Sequence, residues 1–169
     1  MARRCKVPRA FDFRRAMRSI ARMVNQILIG ALISFLNFGI HAVMTGLIVV
    51  VTRHIAGRTD DLHVFMRLTA LLMVTVIVLT PAHVSEIALW ALFMKLAGIT
   101  APNVAAFEFA FENYVALGYG DVVAGGGWRL IGPIMALNGL LLIGWSVALI
   151  FEVMKMADVQ IGRREKRSR

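Results

Sequence analysis

One cysteine, Cys5, is the only thiol in this chain of 169 residues. Without an intrachain partner it excludes a disulfide framework and a thiolate metal site within one chain. Acidic residues are also scarce, 10 Asp and Glu against 19 Lys and Arg, which leaves a formal net charge of +9. The basic residues gather at the two ends and beside hydrophobic runs, so the expected partner is anionic lipid headgroups and not nucleic acid. No span carries regularly spaced arginines, which removes a recognisable voltage sensor, and the tail is too short for a soluble ligand-binding domain. An internal repeat is missing, and no Ala-x-Ala pattern closes the first apolar run. That run is therefore expected to stay as an anchor.

What the chain has instead is apolar length. Hydrophobic residues make up 59% of it, and a soluble single-domain reading fails on that composition. A bilayer crossing needs about 20 mainly apolar residues, and three stretches qualify, near 25–52, 67–98 and 130–156. The expectation is an all-α membrane protein with three transmembrane helices, in which Pro81 kinks or tilts the second.

Ahead of the first span, Phe13, Met17, Ile20 and Val24 recur at helical spacing, and Arg14, Arg15, Arg18 and Arg22 take the other side. This is the pattern of a basic amphipathic helix lying on anionic lipid, with a solvated charged leader as the plainer alternative. The expected organisation is a basic amphipathic segment over 1–24, two transmembrane helices over 25–98, a pore module over 99–158 and a basic tail over 159–169. Residues 163–169 read as disordered.

Between the second and third spans, Pro102 stands where a helix can begin, and residues 103–114 are apolar and aromatic yet too short to cross. They read as a re-entrant pore helix. The irregular stretch behind it, Ala116-Leu117-Gly118-Tyr119-Gly120-Asp121, must line a wet or protein-enclosed cavity, since lipid would leave its backbone unsatisfied. Gly118 and Gly120 tolerate left-handed backbone, which lets successive carbonyls face one way and surround a dehydrated cation. A dinucleotide loop is excluded, because Val123 stands where its third glycine belongs. The triplet Gly125-Gly126-Gly127 reads as a flexible exit loop, and four chains are needed to close a ring of filter strands.

From Phe107 to Phe151 the sequence resembles the tetrameric potassium-channel family with two-helix pore modules, in particular small bacterial members with one extra helix ahead of the module. The pore helix Phe107 to Tyr114, the filter Leu117-Gly118-Tyr119-Gly120-Asp121 and the inner helix from Trp128 to Phe151 carry the likeness. The resemblance implies that carbonyl oxygens of Ala116, Leu117, Gly118 and Tyr119 replace the hydration shell of potassium. It also implies that Tyr119 braces the filter, that Gly120 completes it and that a ring of Asp121 carboxylates concentrates cations outside. Glu112 matches a position where some relatives place a carboxyl behind the filter. Beside Asp121 it either makes the filter pH-sensitive or merely hydrogen-bonds backbone at the helix end. One departure matters: the family's pair of threonines is here Val115-Ala116. The second threonine's hydroxyl completes the innermost ion site in the family, so a weakened inner site is expected.

His83 and Glu86 lie three apart near the middle of the second span and share a helical face, with Trp90 one turn beyond Glu86. They are either a proton-sensitive pair, a support for the pore helix from behind, or interhelical glue satisfied by each other and a neighbouring chain. Glue is the favoured reading, and it extends to Asn37 and His41 in the first span. A zinc site from His41, His83 and Glu86 is not expected, because three ligands over two helices form no local motif. No metal beyond permeant potassium and no cofactor is expected. Gly139 and Gly144 serve either as a gating hinge or as close-packing positions. The sequence leaves Asn138, Trp145 and Ser146 open between a neighbour and the cavity.

Positive charge by side puts the filter outside, since residues 53–67 and the tail are basic and residues 99–121 carry only acidic groups. Three crossings then place the N-terminus outside too, although its first 22 residues hold eight Arg and Lys. A start at Met17 or Met23, tolerance of the basic helix outside, or a first span that does not cross would each resolve the conflict. The functional expectation is a homotetrameric, passive, potassium-preferring channel of the bacterial inner membrane, with a non-conducting or regulatory subunit of the same fold as the alternative. An intramembrane enzyme would rest on His83 and Glu86 alone, with no nucleophile beside them.

Overall fold

The computed structural model describes residues 13–58, 63–100, 105–118, 124–125 and 127–167. These form four helices, α1 (Phe13–Arg58), α2 (Val64–Leu96), α3 (Ala106–Tyr114) and α4 (Ile131–Arg167), with no strand among the described residues. Helices α1 and α2, and α4 over Ile131–Ala157, are long and apolar enough to cross a membrane. The architecture is the expected all-α membrane protein, three spans with a short helix between the last two.

The helices run further than the apolar stretches that announce them. The arginine-rich segment after Phe13 and the first span are one unbroken helix of 46 residues. Helix α4 likewise continues through the basic stretch to Arg167. The expectation of a disordered tail is thus corrected for residues 163–167, because Arg, Glu and Lys are good helix formers and continue a helix already nucleated. Pro81 lies inside α2. In a bilayer the polar side chains of such helices must bond inward. Thr52, Thr75 and Thr80 do so by donating to the carbonyls of Ile48, Leu71 and Val76 at 2.7, 2.8 and 2.9 Å.

Helix α2 stops at a left-handed glycine. Gly98 has φ +60°, its N–H donates to Lys95 O, and Ile99 N donates to Met94 O at 3.0 Å. This closing pattern satisfies the last carbonyls and turns the chain back, with Ile99 buried beneath it. Helix α3 has only 9 residues, or about 14 Å at 1.5 Å per residue, half a bilayer core. It enters and cannot cross.

Packing divides into two apolar clusters. One holds Trp90, Met94, Phe109, Tyr114, Ile131, Met135 and Leu142 around the short helix. The other holds Ile48, Leu71, Leu79, Leu149 and Val153 toward the far end of the spans. Arg67, buried there, donates from Nη2 to Ala56 O at 3.1 Å and ties the start of α2 to the end of α1. At the opposite end Gln26 Oε1 accepts from Leu130 N at 3.0 Å. The N-terminal part of α1 therefore lies at the same end of the bundle as the chain that enters α4, beside the exit of the filter segment. Between the two clusters runs a layer of buried polar side chains.

Candidate filter strand and the polar layer behind it

The filter segment leaves α3 through a tight reversal. Val115 N donates to Phe111 O, Ala116 N to Asn113 O and Leu117 N to Glu112 O, the last two at 2.9 Å. This is the same closing motif that ends α2, but its left-handed position is held by Ala116, with φ +56°. Gly118 follows at φ +55°. Left-handed residues thus alternate along the strand at 116 and 118, and only the second is glycine. An L-residue there costs about 1–2 kcal/mol, so Ala116 stores strain that sequence reading missed. Ala116, Leu117 and Gly118 are exposed in the single chain. Tyr119, Gly120 and Asp121 lie outside the described residues. Glu112 is half-buried in the single chain.

The exit side is pinned where it is described. Gly125 N donates to Ile99 O at 3.2 Å, Trp128 N to Gly125 O at 3.1 Å, and Gly127 takes φ +89°. Gly125 and Gly127 are thus placed by these bonds and this backbone, while Gly126 of the expected exit loop lies outside the described residues.

Behind the start of the filter lies a network that joins all four helices. Glu86 of α2 is fully buried and is its centre. Its Oε2 accepts a short hydrogen bond from the Tyr114 hydroxyl at the end of α3. His83 Nδ1 stands 3.1 Å from the same oxygen and 2.9 Å from the Tyr114 hydroxyl. From α1, His41 Nδ1 stands 2.9 Å from Oε1. On the far side of both rings is the Ser146 hydroxyl of α4, 2.9 Å from His83 Nε2 and 3.4 Å from His41 Nε2. A carboxylate accepts only, so each ring nitrogen bonded to Glu86 presents a proton to it.

A second group stands beside the first. Asn138 Oδ1 of α4 accepts from Trp90 Nε1 at 3.0 Å and from Asn37 Nδ2 at 2.9 Å. Asn37 Nδ2 also lies 3.4 Å from the Glu86 carbonyl. Burying such groups is tolerable only when they bond one another.

The intramembrane pair His83 and Glu86 thus meets partners of its own chain. Those partners are His41, Tyr114 and Ser146. Trp90, Asn37 and His41 fall into the same layer, as their spacing suggested, and Asn138 and Ser146 face the interior of the chain. What the sequence did not indicate is Tyr114, whose hydroxyl connects the network to the first filter residues. Its signal was an aromatic with a polar tip at the last position of a re-entrant helix. Of the two glycine candidates, Gly139 packs against the Tyr114 main chain, whereas a Cβ at Gly144 meets nothing within 4 Å.

Residues 82–156 match the family model described as "Ion channel". No curated protein and no solved structure matches the chain. The matched stretch begins inside α2 just ahead of His83, includes the short helix and the filter strand, and ends in α4, so it contains every site residue described above except those of α1. Residues 82–156 of this membrane protein are thus similar to the ion-channel family, in the manner of a two-helix pore domain of potassium-channel type, and one further long apolar helix precedes them.

Proposed function

We propose that the chain is a passive, potassium-preferring cation channel that works as a homotetramer. The observation that carries this reading is the alternation of left-handed backbone at Ala116 and Gly118 immediately after a helix too short to cross. Such alternation turns successive carbonyls toward one side, and four strands around an axis replace the water of a dehydrated ion. Carbonyls of Ala116, Leu117, Gly118 and Tyr119 form the ion sites, Gly120 completes the strand, and Asp121 gathers cations at the mouth. The exposed apolar residues Leu137, Leu141 and Phe151 of α4 and Phe107 and Phe111 of α3 supply surfaces for neighbouring copies or lipid. Nothing in this scheme makes or breaks a covalent bond, so no catalysis and no cofactor is part of it.

Ala116 brings no hydroxyl to the innermost site, which therefore holds potassium more weakly than one lined by a side-chain oxygen. Glu112 stands behind the strand as its carboxyl support. Arg15, Arg22 and Arg129 line one cleft at the filter end of the bundle and face anionic headgroups of a bacterial inner membrane. The test is uptake of rubidium by liposomes holding the purified chain alone. Uptake that is blocked by Gly118→Val supports the channel. The missing hydroxyl favours a second reading, a regulatory subunit that keeps the pore fold without conducting, and absence of uptake without a partner protein would establish it.

A further inference from the structure

We propose that His41, His83 and Glu86 form a binding site for a divalent transition metal of the zinc class. The inference is independent of whether the pore conducts. Ligand atoms of these three residues lie within 4.8 Å of one another, although they come from two helices and from positions 45 residues apart in the chain. Tetrahedral ligands at 2.0–2.1 Å from an ion stand about 3.4 Å apart. The two ring nitrogens already stand 2.9 and 3.1 Å from the Glu86 oxygens, so convergence on one ion requires only small side-chain shifts. Two imidazoles and one carboxylate are a donor set that suits zinc, and the Tyr114 oxygen beside Glu86 closes the fourth side.

The surroundings favour ligation as well. A metal-bound imidazole needs its other nitrogen protonated and held. Ser146 Oγ is placed to accept from Nε2 of both rings, so that in the metal-bound tautomer both Nδ1 lone pairs would be free for the ion. Moving the proton from Nδ1 to Nε2 is a tautomer change and leaves the net charge of each ring unaltered. The carboxylate at the centre is fully buried, and a dication bound to it would offset the cost of that burial. Access runs past His83, whose side chain is 22% exposed while Glu86 is fully enclosed. An ion held here fastens α1 to α2 and, through Glu86 and Tyr114, fixes the end of the short helix where the filter strand begins.

The test is titration of the tag-free, detergent-solubilised full chain with cobalt(II) chloride, followed by competition with zinc chloride. The expected result is one cobalt per chain with the intense visible d–d absorption of tetrahedral coordination, displaced by zinc. His41→Asn and Glu86→Gln each lower the affinity by more than about 100-fold, and Ser146→Ala, which removes only the outer holder, by about 10-fold. His83→Cys, made in a Cys5→Ser chain so that residue 83 carries the only thiol, keeps a ligand in place and adds a thiolate-to-cobalt charge-transfer band. The band counts for the site when it saturates at one cobalt per chain with the tetrahedral d–d absorption retained and is lost on adding Glu86→Gln. Exchanging the two exposed histidines, His54→Asn and His63→Asn, leaves binding unchanged. A native chain that takes up no tetrahedral cobalt overturns the proposal, as does uptake that survives Glu86→Gln and His41→Asn together.

Discussion

Gly139 of α4 lies against the main chain of Tyr114 so closely that a Cβ at residue 139 would overlap the Tyr114 carbonyl oxygen and stand 3.0 Å from its Cγ. The inner helix and the last turn of the short helix are thus in backbone contact, a packing that no other residue type permits. Gly139→Ala is expected to force the two helices apart and to destabilise the chain by about 2–3 kcal/mol, within the range for overpacking a close-packed interior. Gly144→Ala, with open space around it, is expected to be neutral or stabilising by up to about 1 kcal/mol. Thermal unfolding of the two variants in one detergent checks the contrast. Equal loss in both would show that the contact at 139 is not what holds the helices.

The hydrogen bond from Tyr114 to Glu86 couples the polar layer to the filter strand. Tyr114→Phe leaves a buried carboxylate short of one of its three donors, and an unmade bond to a buried charged group costs about 1.5–3 kcal/mol. Glu86→Gln removes the charge and leaves an amide that can pair with only some of the same neighbours. Measured singly and together, the two changes are expected to be non-additive by about 1 kcal/mol or more, since both remove the same bond. Additive effects would mean that Tyr114 and Glu86 are held independently.

Ala116 invites a test of both its backbone and its missing hydroxyl. Ala116→Gly relieves a left-handed L-residue and is expected to stabilise the chain by about 1 kcal/mol, visible as a raised unfolding temperature. Ala116→Ser restores an oxygen at the innermost site without the branched Cβ that makes threonine a poor occupant at φ +56°. Potassium-over-sodium flux is expected to rise in the serine variant and to stay level in the glycine variant. If neither changes selectivity, the innermost site is not limited by the absent hydroxyl.

The three spans and the short helix were legible because each is written in local sequence: apolar runs of bilayer length, and an aromatic segment too short to cross; Gly118 was legible as a place where the backbone turns left. The polar layer was legible only in fragments. The spacing of His83 and Glu86 puts them on one face, and Asn37 with His41 on another, but periodicity along one helix says nothing about which faces meet. That is decided by where α3 enters, and its entry is what sets Tyr114 beside Glu86 and Ser146 beneath both histidines. Ala116 was legible as a lost hydroxyl and hidden as a strained residue, because a left-handed alanine carries no sequence mark. The continuous α1 was hidden for a different reason, since the change from arginine-rich to apolar looks like a boundary although nothing in it breaks a helix.

The bond from Leu130 N to Gln26 Oε1 places the N-terminal part of α1 at the end of the bundle where the chain enters α4, while Thr52 and Ala56, near the end of α1, lie at the other end, beside Val153 and Ala157. The arginines of the first turns of α1 and the chain entering α4 are therefore on one side of the membrane; under the proposed channel reading that is the side of the filter mouth, against the tendency of basic segments to stay inside. In a chain with Cys5→Ser, single cysteines at Ser19→Cys and Gly125→Cys are expected to react with a membrane-impermeant maleimide from the same face. Gly57→Cys, where a side chain meets open space, is expected to react only from the opposite face. Labelling of positions 19 and 57 from one side, with 125 alone on the other, would mean that α1 does not cross as a single span.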